Sequence, residues 1–178
     1  MTFDHTHYYR FTTTRSGKDY ALDVCPDGSG QVILAVPRES SGQYWTLVPL
    51  GDRRYALRTA YLGEGLSLAM DNNHQVNLKP TDLSAGQSWT LQPDGDEAFA
   101  LINELAGPQT CLCLSGQGPV AAQSAAPSQH PLWAVTLCEA AYRVNDSASF
   151  SEGRTSLTLT VLQQFGSSFH VKLNYARP

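Results

Sequence analysis

Residues 42–52 read GQYWTLVPLGD and residues 86–96 read GQSWTLQPDGD, identical at eight of eleven positions and offset by 44 residues. A degraded third copy, QHPLWAVTL at 129–137, places Trp133 another 44 residues on, so Trp45, Trp89 and Trp133 are evenly spaced. Other positions keep the same interval. Val32, Val76 and Val120 each precede their Trp by 13 residues, while Tyr55-Ala56-Leu57 and Phe99-Ala100-Leu101 each begin ten residues after one. Ala21-Leu22-Asp23-Val24 corresponds to Ser67-Leu68-Ala69-Met70 and to Cys111-Leu112-Cys113-Leu114. A repeat of this length is a supersecondary unit that cannot bury its apolar face alone, so the units must pack on one another.

Each unit holds four short apolar runs. In the first they are YRFTT (9–13), YALDV (20–24), QVILAV (31–36) and YWTLVPL (44–50), separated by SGKD, CPDGSG and RESSG. Alternating or β-branched runs bounded by Gly, Pro, Asp and Ser read as strands. No segment sustains a helical period, so the chain is predicted to be all-β. Four strands per unit also describes a propeller blade, but a propeller needs at least about four blades. Three units must close with pseudo-threefold symmetry, which predicts a β-trefoil: a six-stranded barrel capped by three hairpins. The units span about 8–50, 51–94 and 95–138, with an N-terminal arm at 1–7 and a β extension at 139–178. In that extension TSLTLTVL (155–162) and FHVKLNY (169–175) alternate and are joined through QQFGSS, which reads as a β-hairpin. A lone hairpin is marginal in water. Its edges suit strand-to-strand pairing in a homodimer.

Charge narrows the partners. The net charge is −4, and the longest basic run is Arg53-Arg54. That balance argues against nucleic acid, whose binders concentrate positive charge, and against a polybasic membrane patch. No run approaches the roughly 20 apolar residues of a membrane helix, so membrane insertion is not expected. The opening MTFDHTHYYRF lacks a basic stretch followed by an apolar one, which points to the cytosol; a secreted chain expressed behind a new Met would read the same. Cys25, Cys111, Cys113 and Cys138 form no paired C-x-x-C set and read as reduced thiols acting as small hydrophobes. His5 and His7 would share one face of a strand, but two imidazoles without a third ligand do not make a metal site, so an exposed arm is expected. No G-x-S-x-G, H-E-x-x-H or phosphate loop is present, and neither catalysis nor a cofactor is expected.

The repeat resembles the Q-x-W signature of ricin B-type (R-type) lectin trefoils. It stands as Gln43-Tyr44-Trp45 and Gln87-Ser88-Trp89, with Pro131-Leu132-Trp133 replacing Gln by Pro in the third unit. The resemblance covers roughly residues 8–138 and implies a carbohydrate-binding protein with glycan partners. It also implies that Trp is core and that Gln ties a loop to neighbouring backbone. The family's sugar-binding Asp lies in the second strand and is matched by Asp23; the equivalents are Ala69 and Cys113. The stacking aromatic falls at Ala35, Lys79 and Gln123, none aromatic, and the Asn before the Gln is replaced by Gly42, Gly86 and His130. Candidate contacts in the first unit are therefore Asp23 and Gln43, with Arg38 as a donor to a sugar or acidic glycan. Tyr44 would add a ring face if its side chain turns outward. In the second unit Asp71, Asn77 and Lys79 form a non-standard glycan site or an ordinary hairpin turn. A lectin of defence or agglutinin type is the leading expectation. The alternative is a protein-interaction module or protease inhibitor that has lost sugar binding, which the missing aromatics favour. A toxin accessory domain is a third class.

Overall fold

A computed structural model describes residues 3–95, 98–108, 110–113, 121–124, 132–140, 147–152, 155–165 and 168–176. The first unit forms β1 (His7–Arg15), β2 (Lys18–Val24), β3 (Val32–Ala35) and β4 (Trp45–Gly51). The second forms β5 (Arg54–Thr59), β6 (Leu66–Met70), β7 (Val76–Pro80) and β8 (Trp89–Pro93). The third forms β9 (Ala98–Asn103), β10 (Thr110–Cys113), β11 (Ala121–Ser124) and β12 (Trp133–Ala140). The outer strands of each unit close a ring of antiparallel pairs: β1–β4, β4–β5, β5–β8, β8–β9, β9–β12 and β12–β1. The inner strands pair as three hairpins, β2–β3, β6–β7 and β10–β11. A six-stranded barrel with three hairpins is the β-trefoil that the 44-residue interval predicts.

Repeated residues occupy repeated places. Tyr9 pairs across the strands with Trp45, Tyr55 with Trp89, and Phe99 with Trp133. All three Trp are fully buried. Each indole N–H donates to one carbonyl of the second strand of its own unit: Leu22 at 3.0 Å, Leu68 at 2.9 Å and Leu112 at 3.2 Å. An indole buries roughly 150–250 Å², about 4–6 kcal/mol of gross transfer free energy, but only if its N–H finds an acceptor. The Leu at that carbonyl is itself buried in all three units and belongs to the same core. One donor and one apolar contact thus fasten each hairpin to the barrel.

The N-terminal residues differ from an exposed arm at one position. Phe3 is buried and meets the three threefold-equivalent aromatics edge-on: Tyr9 at 5.2 Å, Tyr55 at 5.8 Å and Phe99 at 5.5 Å between ring centroids. The main-chain N–H of Asp4 donates to the Tyr9 hydroxyl at 2.9 Å, fixing the entry of the arm. His5 remains exposed. Cys111 and Cys113 lie on one strand with their sulfurs 3.0 Å apart, both buried. The Cys113 thiol and burial together push the Cys111 thiol up, so it stays protonated.

Beyond the trefoil, β13 (Ser147–Glu152), β14 (Thr155–Phe165) and β15 (Ser168–Ala176) form an antiparallel sheet in that order. The expected hairpin is β14–β15. A third strand, β13, joins it.

Candidate functional site

The Q-x-W segment does the same local work in both units where it is intact. A short 3-10 turn, Ser41–Gln43 or Ala85–Gln87, brings the chain against the end of the second strand. The approach is so close that a Cβ on Gly42 would collide with the Asp23 carboxylate, and one on Gly86 with the Met70 carbonyl. Glycine is required there for space, because no other residue lets the turn pass. Each buried Gln then satisfies the loop ahead of it. Gln43 donates to the Val36 carbonyl (3.0 Å) and accepts from the Arg38 N–H (2.9 Å). Gln87 donates to the Pro80 carbonyl (2.7 Å) and accepts from the N–H groups of Asp82 (3.0 Å) and Leu83 (3.2 Å). His130 and Pro131, where the third unit departs from the pattern, lie outside the described residues.

The first unit adds a set of charges to this frame. Asp23 is 1% exposed. Its Oδ1 accepts from the Val24 N–H at 2.7 Å and its Oδ2 from Gln43 Nε2 at 2.9 Å. Arg38 Nη2 lies 3.8 Å from Oδ2, with the Arg38 side chain 63% exposed. Arg38 is held by both main-chain groups: its N–H by Gln43, its carbonyl by Arg10 Nη2 at 3.0 Å. The same Arg10 nitrogen donates to Glu39 Oε1 at 2.9 Å, and the Tyr44 hydroxyl holds Glu39 Oε2. Asp23, Arg38 and Gln43 are thus brought together as the sequence suggested.

Tyr44 is not placed as a sugar-facing ring. It is 1% exposed, stacked on Tyr8 at 5.7 Å, with the Arg10 guanidinium 5.6 Å from its centroid. Burial between those neighbours, together with the anchoring of its hydroxyl on Glu39, accounts for the difference. Sequence reasoning missed Arg10. Its signal was available: Tyr9-Arg10-Phe11 is the counterpart of Tyr55-Ala56-Leu57 and Phe99-Ala100-Leu101, so a guanidinium stands where the other units carry a buried methyl.

The second-unit candidates sit on the β6–β7 hairpin, apart from that cluster. Asp71 Oδ1 accepts from the N–H groups of Asn73 (2.9 Å) and Gln75 (3.0 Å), and Lys79 Nζ lies 3.7 Å from Oδ2. The Gln75 N–H, then that of Asn73 and the Lys79 ammonium, hold the Asp71 carboxyl below its ordinary value against a desolvation that pushes the other way. His74 completes the turn at φ 61°. Asn77 and Lys79 share the outward face of β7, and Asn77 bridges to Gln31 of the first unit's hairpin. Asp71 therefore organises a turn. At the position of Arg38 the second unit carries Asp82, whose carboxyl is held low by hydrogen bonds from Ser84. Among the described residues no group of three or more His, Cys, Asp or Glu side chains is placed to hold a metal ion.

No family model matches the sequence, and no curated protein does. Solved structures do. A designed threefold-symmetric protein, ThreeFoil, is similar at 26% identity over 72% of this chain and 96% of its own, with a TM-score of 0.60. A Polyporus squamosus lectin, solved bound to the epitope Neu5Aca2-6Galb1-4GlcNAc, shares 14% identity over 83% of this chain and 52% of its own, at a TM-score of 0.61. The β-trefoil lectin of a Vibrio vulnificus hemolysin/cytolysin, solved with N-acetyl-D-lactosamine, shares 18% over 74% of this chain and 95% of its own, at 0.56. Longer proteins match as well: the chain spans 23% of a mosquitocidal holotoxin and 33% of an endo-β-galactosidase. Ring closure, hairpins and neighbours, a solved BEL β-trefoil among them, agree that the chain is a β-trefoil, and two of these solved neighbours are lectins.

Proposed function

We propose that this chain binds carbohydrate, without catalysis, through the first unit of its trefoil. One observation carries the reading. The second unit builds the same turn and the same Gln contacts over Ala69, so the fold needs no acid at that position, yet the first unit buries Asp23 there beneath an exposed Arg38. A buried carboxylate carries a desolvation cost that hydrogen bonds only offset, so stability is a poor reason to keep one. Sugars recognised in shallow sites call for fixed donors and acceptors on a rigid rim. The sugar-bound trefoil neighbours support the same reading. The Asp71, Asn77 and Lys79 hairpin is the secondary site in this proposal. In this proposal the chain works in the cytosol, a compartment that keeps cysteines such as these four as thiols. Pairing of two copies along β13 or β15, the outer strands of the C-terminal sheet, would give a divalent particle with raised avidity.

The test is a glycan array with the full chain, followed by backbone NMR mapping of each hit. Shifts confined to residues 36–44 and to Asp23 are the expected result. Binding mapped to the second unit alone would move the site, and an empty array would discard carbohydrate binding in favour of a protein partner. Light scattering reads the stoichiometry alongside, with a dimer expected.

A further inference from the structure

We infer that the ligand of the first unit is an acidic sugar, a pyranose bearing a carboxylate or sulfate that Arg38 grips; this rests on the carbohydrate reading above. The argument is an account of which groups remain available. Asp23 is buried, and each of its oxygens already accepts a hydrogen bond. Glu39 spends its charge on Arg10 at 2.9 Å, and its second oxygen holds the buried Tyr44 hydroxyl. The Gln43 amide is fully engaged with Asp23, Val36 and Arg38. The cluster turns two groups outward, the Glu39 carboxylate, both of whose oxygens already hold a donor, and the Arg38 guanidinium, which has five donors and only a 3.8 Å approach to Asp23. A guanidinium left without a close partner selects an acceptor group of negative charge, and it fits a carboxylate or sulfate edge in two parallel hydrogen bonds.

Placement strengthens the selection. A free surface arginine loses rotamer entropy when it binds. Arg38 has its main-chain N–H held by Gln43 of the following 3-10 turn and its carbonyl by Arg10 of β1, and Asp23 lies 3.8 Å behind one terminal nitrogen. Asp23 is thereby a positioning residue, turning the opposite edge of the guanidinium to solvent. The second unit supplies an internal contrast. Its Asp82 sits at the equivalent loop position, with the same main-chain bond to the Gln (3.0 Å), and offers an acceptor where the first unit offers a donor. An anion favoured by the first unit is repelled by the second.

The experiment titrates the full chain with galactose, galacturonic acid and galactose 6-sulfate, and with inorganic sulfate as the ion alone. The variants are Arg38→Asp and Arg38→Lys. Arg38→Asp reverses the charge but faces Asp23 where the second unit has Ala69, so circular dichroism checks its folding, and Arg38→Gln, which removes the charge without adding a second carboxylate, serves as the companion variant with the same expected loss. The two acidic sugars should bind more tightly than galactose by roughly ten- to a hundredfold, the range for a hydrogen bond to a charged group. Arg38→Asp should abolish that preference, Arg38→Lys should keep only part of it, and added salt should erode it. Galactose bound as tightly as its acidic forms, and indifferent to Arg38→Asp, would overturn the inference while leaving carbohydrate binding in place. Sulfate saturating as tightly as galactose 6-sulfate would also overturn it, by showing an anion site with no use for the ring. No binding by any of the three sugars would overturn the inference, while the glycan array decides the carbohydrate reading separately.

Discussion

Phe3→Ala isolates the part played by the N-terminal residues. Phe3 is 5% exposed and sits on the pseudo-threefold axis, with edges of its ring against Tyr9, Tyr55 and Phe99. Truncating a buried Phe to Ala typically costs about 3–5 kcal/mol, the sum of lost transfer energy and residual cavity. Three edge-to-face pairs, each worth about 0.5–1.5 kcal/mol beyond area, hold the estimate up. Position pulls it down, because an arm that enters from solvent lets water reach the vacated mouth. About 3 kcal/mol is expected. At about 2–4 °C per kcal/mol for a protein of this size, Tm should fall by about 6–12 °C. Calorimetry measures it, with His5→Ala as a control within about 0.5 kcal/mol and Phe3→Leu expected between the two. The consequence reaches the candidate site, since β1 carries Tyr9 into the core and Arg10 into the charged cluster. A Phe3→Ala protein melting within a degree of the parent would refute the plug.

Two further outcomes follow from hydrogen bonding. Gln87→Ala strands one carbonyl and two N–H groups and should cost about 2 kcal/mol by chemical denaturation, whereas Gln43→Ala strands one carbonyl, one N–H and the buried Asp23 carboxylate and should cost about 3 kcal/mol or more. In an Asp23→Ala background the Gln43→Ala cost should drop to the Gln87 value or below it, a coupling of about 1 kcal/mol or more; an unchanged Gln43→Ala cost in that background would disprove the linkage. Asp71 titrates lower folded than unfolded, so its contribution is complete above the unfolded value of about 3.9 and fades as pH falls through the folded one. Asp71→Asn should therefore be less stable than the parent at pH 7, with the gap closing on acidification below about pH 4, and a gap independent of pH would count against the turn-organising role.

The barrel was legible because its determinants are periodic. Trp45, Trp89 and Trp133 mark equal intervals, and a Trp that must be buried with a satisfied N–H can occupy few places in a three-unit closure. Asp23, Arg38 and Gln43 were legible for a related reason: they stand at fixed offsets from a repeated motif. What escaped prediction has no counterpart in the period. Phe3 is a lone aromatic in a polar stretch, and its pocket exists only after residues about 44 positions apart have met. Strand β13 reads SASFSE, whose serines give little β propensity; its pairing with β14 decides it. Tyr44 alternates with neighbours in a way that suits either face, and only the packing of Tyr8 and Arg10 buries it.

Pseudo-symmetry gives this chain its own reference state. Wherever the units agree, as in the Trp indole reaching a Leu carbonyl or the Gly–Gln turn in units one and two, the shared feature serves closure, because closure is what the units have in common. Wherever they disagree at a buried position, closure has no use for the difference. Arg10 against Ala56 and Ala100 and Asp23 against Ala69 and Cys113 are two such disagreements; the exposed Arg38 against Asp82 is a third, at the surface, and in the first unit all three converge on one loop. Desolvating Asp23 and most of Arg10 lowers stability or leaves it unchanged unless geometry is very good. The uniform apolar units around the axis supply the margin that lets one unit carry them. The same logic ranks the loops of the second unit: Asp71 is half-buried and Lys79 exposed, and both are local to their hairpin, so they tax the fold little and say correspondingly less about a ligand.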